Sequence, residues 1–195
     1  MSPTDRLNAQ MAFLTEADRL KTITRATTLC DGSRYENSAE HSWHLALYAL
    51  VLSDHAPEPV DTSRVITMLL LHDLVEIDAG DTPIYQDTDP AAQAAAETAA
   101  AERIFGLLPP DQGRALRALW DEFEAAESAD ARFAKALDRF QPPNQNLASG
   151  GISWRDHGAT LNKVETRVGA PIARGAPALW AWIAPKIQDW FARNL

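Results

Sequence analysis

The stretch "LLLHDLVEIDAGD", residues 69–81, sets His72, Asp73, Glu76, Asp78 and Asp81 in and just after a strongly apolar run. Val65, Ile66, Met68, Leu69, Leu70, Leu71, Leu74, Val75 and Ile77 surround the first three. A helix apolar on every side belongs in the centre of a bundle. Polar groups buried there without partners cost on the order of several kcal/mol, and charges cost more. On an α-helix His72 and Asp73 lie about 100° apart, and Glu76, four and three residues on, shares their face. Glu76, Asp78 and Asp81 crowd the helix's C-terminal end, where the backbone dipole is already negative. They repel one another, and a divalent cation resolves that repulsion best. Taken alone, the pair has a plainer reading, a buried histidine bonded to a backbone carbonyl ahead of a solvated acidic turn. Further donors decide between the two.

His41 opens "HSWHLALYALVL", and Leu45, Tyr48 and Leu52 follow it at helical spacing, so it faces the core. His44 lies beside that stripe and competes with it. Asp138, in "FAKALDRF", adjoins the stripe of Phe133, Leu137 and Phe140 near a helix's C-terminal end, the wrong end for an anion. Its plain reading is a surface ion pair with Lys135 or Arg139, which contributes little. Two imidazoles and two carboxylates from three helices suit a hard or borderline divalent ion and leave positions open for water and substrate. Facing helices of a bundle assemble such sites in their core.

The elements that must position these groups read as helices throughout. Residues 5–22 form a first helix, with Leu7, Met11, Leu14 and Leu20 at helical spacing. Asn37 and Glu40 form a capping box for a second, which runs toward Pro57. Asp61 caps the third, which carries the motif and ends before Gly80 and Pro83. Asp89-Pro90 starts an alanine-rich helix to about Phe105, Pro109-Pro110 a fifth and Ser128 a sixth. "QPPNQNLASGGISW", with paired Pro and paired Gly, reads as a long polar loop. Helices near 160–168 and 177–193 complete the chain. No strand-like alternation of useful length and no internal repeat is present. The expected fold is all-α, a single-domain helical bundle over 1–195.

Composition narrows the function classes. The chain has 195 residues, 46% hydrophobic and 23% charged, ordinary for one globular domain. A formal net charge of −9 with no basic run argues against nucleic acid or an anionic membrane as partner. The single cysteine, Cys30, allows neither an intrachain disulfide nor a thiolate metal cage and fits a reducing compartment. No signal peptide and no apolar stretch of about 20 residues is found. The expectation is a soluble, cytoplasmic protein.

"HDLVEIDAGD", preceded by "RYENSAEH" and followed by an Asp in a later helix, resembles the HD-domain metal-dependent phosphohydrolases. It is most similar to the small single-domain branch that includes the bacterial 5′-deoxynucleotidases. The likeness runs from about residue 20 to about 140, with helices 155–195 packing on that core. It implies one divalent metal ion, such as Mn²⁺, Co²⁺ or Mg²⁺, held by His41, His72, Asp73 and Asp138. It implies Glu76 and Asp81 as catalytic carboxylates that position water or protonate the leaving oxygen, in an order the residues leave open. It implies Arg25 as the phosphate-binding arginine, with Arg34 a second candidate. The substrate would be a small phosphate ester, foremost a 5′-nucleoside monophosphate, and the assembly a homodimer.

The chain departs from that branch in two places. Arg25-Ala26 stands where the relatives carry Arg-Trp, and the segment after Asp138 differs. Both touch sugar and base, so nucleotide preference is open, as are roles for Trp154 and His157. A di-iron oxygenase on the same fold needs more ligands than five histidines supply. Relatives acting on other phosphates carry further motifs, and a catalytically silent binding module has no use for Glu76, Asp81 and Arg25 together.

Overall fold

Each helix start that the sequence marks with a side-chain acceptor is a cap in the structure, a computed structural model that describes residues 1–86 and 88–194. Ser2 caps α1 (Pro3–Ala17), which tightens into a 3-10 turn at Asp18–Thr22. The Asn37–Glu40 capping box opens α2 (Ser38–Leu52), and Asp61 opens α3 (Thr62–Leu71). Beyond α3 the chain winds into a 3-10 turn, His72–Val75, and resumes as the short α4 (Glu76–Ala79). Gly80, at φ +74°, ends it in a conformation that glycine adopts without a Cβ penalty. Asp89 caps α5 (Pro90–Phe105), and α6 (Pro110–Ala125) follows.

Two expectations need correction. Residues 141–148 are not a loop: α7 runs from Ala129 to Ala148 with Pro142 and Pro143 inside it. Each proline removes one backbone donor, but the segment buries Gln141, Pro143, Gln145 and Asn146, and tertiary packing overrides the local preference. Strands are present where none was expected: β1 (Thr24–Thr28) and β2 (Tyr35–Asn37), before α2, form an antiparallel pair, Thr24 opposite Asn37 and Thr28 opposite Tyr35. Strands of five and three residues give no readable alternation, and an isolated hairpin is marginal in water. This one is held by its neighbours, with Ser153 Oγ donating to Ala26 O at 2.5 Å.

The chain closes with α8 (Ile152–Asp156), α9 (Leu161–Lys163), a π turn (Val164–Gly169), α10 (Ala170–Gly175) and α11 (Pro177–Asn194). At Gly175 a Cβ would lie 2.0 Å from Arg132 O, so only glycine lets α10 settle on α7. The third-helix segment feeds two apolar clusters. Val65, Met68 and Leu69 pack with Leu45, Phe133, Leu137, Ile172, Ile183 and Ile187. Leu71, Leu74, Val75 and Ile77 pack with Phe13, Ile104 and Phe105. His72 and Asp73 sit between the two, where α2, α3 and α7 meet. Among the described residues, no helix is long and apolar enough to cross a membrane.

Candidate metal centre

The 3-10 turn at residues 72–75 is what aligns the motif. In 3-10 geometry residues three apart eclipse one another, and Asp73 and Glu76 both reach one guanidinium nitrogen. Arg25 Nη1, from β1, lies 2.8 Å from Asp73 Oδ2, 3.4 Å from Glu76 Oε1 and 3.8 Å from Asp81 Oδ1. Ser38 at the start of α2 donates to Glu76 Oε2 at 2.5 Å.

On the other side of Asp73 the imidazoles and Asp138 converge. His41 Nε2 lies 3.1 Å from Asp138 Oδ1 and 3.9 Å from Asp73 Oδ2. His72 Nε2 lies 2.9 Å from Asp73 Oδ1 and 3.7 Å from Asp138 Oδ1. Donor atoms of His41, His72 and Asp73 all fall within 4.8 Å of one another. The His72 Nδ1 faces Leu69 O at 2.8 Å, so Nδ1 carries the proton and Nε2 offers a lone pair. That Nε2 is buried and lies 2.9 Å from Asp73 Oδ1 without the alignment of a hydrogen bond, a contact that a bound cation compensates. Two nitrogens and two carboxylates fit a divalent ion of intermediate hardness.

A cavity of about 440 Å³ opens beside these groups, lined by Arg25, His72, Asp73, Glu76, Asp81 and Asp138, and further out by Thr82, Gln93, Lys135 and Arg139. Its size suits a small organic ligand. Electrostatics divide its carboxylates. Burial works against the Asp73 anion, but His72 and Arg25 hold its carboxyl well below the ordinary range. Asp138 is held down against burial by Arg139 and both histidines. Glu76 goes the other way: burial, with Asp73 and Asp81 adding to it, pushes it up to about 9.

Burial opposes a charge on His72, yet Asp73 and Asp138 push it up to about 10. Stripped of metal, the folded chain therefore binds more protons than the unfolded one between the ordinary histidine value and about 10. Its stability falls as pH rises through that window. A cation must displace the His72 proton, so metal uptake releases a proton and tightens as pH rises toward about 10. Calorimetric titration in buffers of different ionisation enthalpy checks this; uptake without proton release contradicts it.

The remaining candidates lie away from these donors. Arg34 is not brought to the cavity: it pairs in the open with Glu40, Nη1 to Oε2 at 2.8 Å and Nη2 to Oε1 at 2.6 Å. Asp78 turns outward to Arg103, Nη2 to Oδ1 at 2.8 Å. His44 stacks with Trp43 and meets Tyr48 edge-on, away from the donors. Trp154 is core, against Trp190 and Phe191, with its Nε1 donating to Tyr85. His157 lies edge-on to Tyr35. Asp138 does approach Arg139, at 3.6 Å, but is buried and faces the histidines with its other oxygen.

Sequence reasoning missed Glu36, Gln141 and Gln145, a buried polar layer behind His41. A hydrophilic "RYEN" ahead of the second helix and glutamines beside paired prolines gave no signal of burial.

A model of the HD domain matches residues 17–180. The human protein "5′-deoxynucleotidase HDDC2" is 29% identical over 130 residues, which cover 66% of this chain and 62% of that one. "5′-Deoxynucleotidase hdd1" of Schizosaccharomyces pombe is 25% identical over 134 residues, 66% of each chain. The chain thus spans somewhat under two thirds of the human relative's length. The crystal structure of a "predicted metal-dependent phosphohydrolase" from Magnetospirillum magnetotacticum MS-1 matches at TM-score 0.91 and 48% identity, covering 97% of both chains.

Proposed function

The chain belongs to the HD-domain family, and on that premise we propose that it is a divalent-metal-dependent hydrolase of phosphate monoesters, acting on 5′-(deoxy)nucleoside monophosphates. The observation that carries this reading is the convergence of His41, His72 and Asp73 donor atoms within 4.8 Å of one another, with Asp138 Oδ1 3.1 Å from His41 Nε2, beside a cavity that His72, Asp73, Asp138, Glu76 and the buried Arg25 line. The names of the human, yeast and Magnetospirillum relatives support it. In this reading 1–195 is one HD-type domain.

His41, His72, Asp73 and Asp138 would hold a divalent ion, Mn²⁺, Co²⁺ or Mg²⁺, which would supply Lewis acidity toward a phosphoryl oxygen and lower a water's pKa toward neutrality. The chain supplies the rest. Arg25 presents a planar fork to the non-bridging oxygens, and it is held in place by carboxylates it also neutralises. Burial and Asp73 favour the protonated form of Glu76, whose carboxyl is assigned the proton for the leaving 5′-oxygen; Asp81, across from it on Arg25, is assigned the proton of the attacking water. Water adds to phosphorus as the phosphorus–oxygen bond to the sugar breaks, giving inorganic phosphate and a nucleoside. Hydrolysis in ¹⁸O-water therefore places the label in phosphate; label in the nucleoside contradicts the mechanism.

A second copy of the chain is the proposed partner. Trp43, Leu47, Leu50 and Val51 form an exposed apolar stripe on α2, at one edge of a groove of about 540 Å³ that Phe140 and Trp182 complete. Exposed apolar patches of this kind mark interaction surfaces. A monomer in sedimentation velocity at micromolar concentration contradicts the homodimer, and membrane-bound or exported protein in cell fractions contradicts the proposed cytoplasmic location.

A further inference from the structure

Glu36, in the middle of β2, is 1% exposed, and no step above uses it. A buried carboxylate demands compensation, and here its partners divide between its two oxygens. Oε2 accepts from Gln141 Nε2 at 3.1 Å and Gln145 Nε2 at 2.9 Å, both from the proline-containing stretch of α7. Oε1 lies 3.3 Å from His41 Nδ1 and 3.6 Å from Arg25 Nε, ion-pair neighbours to which it makes no aligned hydrogen bond.

We propose that Glu36 is a positioning residue that sets the metal-side imidazole of His41 and the phosphate-side guanidinium of Arg25 against one another. This rests on the phosphohydrolase reading above. The chemistry runs through hydrogen-bond polarity. Because Gln141 donates its amide nitrogen to a carboxylate that cannot donate back, its Oε1 is turned to His41 Nδ1, 3.1 Å away. Both groups facing His41 Nδ1, Gln141 Oε1 and Glu36 Oε1, are therefore acceptors. They hold the proton on Nδ1 and leave the Nε2 lone pair pointing toward Asp138 and Asp73. The same Oε1 faces Arg25 Nε, whose fork ends at Asp73 and Glu76. One carboxylate thus orients a group on each side of the reacting phosphate, as carboxylates behind metal-binding histidines do generally.

A neutral isostere cannot take its place. Donors surround both oxygens of Glu36, so either orientation of a glutamine amide sets an N–H against another donor. The experiment titrates chelated parent, Glu36→Gln and Gln145→Met proteins with Mn²⁺ alone, then titrates the loaded proteins with inorganic phosphate, recording melting temperatures throughout. Gln145→Met removes one donor from Oε2 and leaves Oε1 as it was.

The expected result is a 10- to 100-fold loss of Mn²⁺ affinity in Glu36→Gln, with weaker phosphate binding. Gln145→Met melts earlier but keeps both affinities within about threefold. A Glu36→Gln protein that binds both as the parent does overturns the inference, as does a Gln145→Met protein that loses affinity to the same extent. Nitrogen NMR of the Zn²⁺-loaded parent adds a readout independent of any variant: the His41 proton sits on Nδ1, and a proton on Nε2 overturns the inference. A parent that takes up no Mn²⁺ refutes the phosphohydrolase reading itself, whereas unchanged affinities in Glu36→Gln refute only this inference.

Discussion

Replacing Asp73 by alanine is expected to remove hydrolytic activity by on the order of 10⁴-fold or more, the scale of loss when one member of a unit is deleted. Asp73 has two duties that no neighbour can take over. Its Oδ1 lies 2.9 Å from His72 Nε2, and its Oδ2 lies 2.8 Å from Arg25 Nη1 and 3.9 Å from His41 Nε2. Alanine removes a metal donor and the link between that donor and the phosphate-binding arginine. Deleting this carboxylate also takes from buried His72 and Arg25 the anion that both lean on, and relief at Glu76 offsets only part of that loss. In chelator the variant therefore melts below the parent. What it lacks is the metal-dependent rise, worth about 4 kcal/mol to the parent at a metal concentration about 1,000 times its Kd. An Asp73→Ala protein that still melts higher with Mn²⁺ contradicts the assignment.

Arg25→Ala is expected to fail in a different pattern. Arg25 is buried, and its guanidinium lies within 4 Å of Glu36, Asp73, Glu76 and Asp81. Removing it leaves like charges facing one another in a dry site, a change that costs roughly 3–5 kcal/mol when one partner of a buried ionic group is deleted. The metal-free variant melts well below the parent. Divalent metal recovers more stability in it than in the parent, since the carboxylates have lost their competing cation. Turnover of the loaded variant falls by about 10²- to 10³-fold, as for loss of a charge-stabilising donor, with a raised KM. Both variants thus lose metal-free stability, but Asp73→Ala gains nothing from Mn²⁺ whereas Arg25→Ala keeps its metal-dependent rise. Measuring melting temperature with and without Mn²⁺ separates the two, and identical behaviour of the variants contradicts the division of roles.

Local chemistry told a good deal of the fold in advance. The Asn37–Glu40 box, the Asp61 and Asp89 caps and the glycine at position 80 are signals written within a few residues, and the helices start or stop at them. The motif on the third helix was legible because polar residues in an apolar run need compensation wherever the chain folds. The 3-10 turn at 72–75 was not legible, since an apolar periodicity does not distinguish 3.6 from 3.0 residues per turn over one turn. Pro142 and Pro143 misled for a physical reason: proline is costly in an isolated helix, but α7 buries Gln141 and Gln145 against Glu36 and is kept helical by those long-range bonds. Glu36 was hidden for the same cause, as its partners lie more than 100 residues away. Arg34 looked as eligible as Arg25 by type and distance from the motif. Strand pairing decides between them, placing Arg25 toward the cavity and leaving Arg34 with Glu40.

The measurement that tests the central claim most directly is phosphate release by chelated protein resupplied with Mn²⁺, Co²⁺ or Mg²⁺, across 5′-nucleoside monophosphates and their deoxy forms. The prediction is no release without metal, and restored release from a subset of the monophosphates with it. Release that persists through chelation, or none from any monophosphate while the protein holds metal, contradicts it.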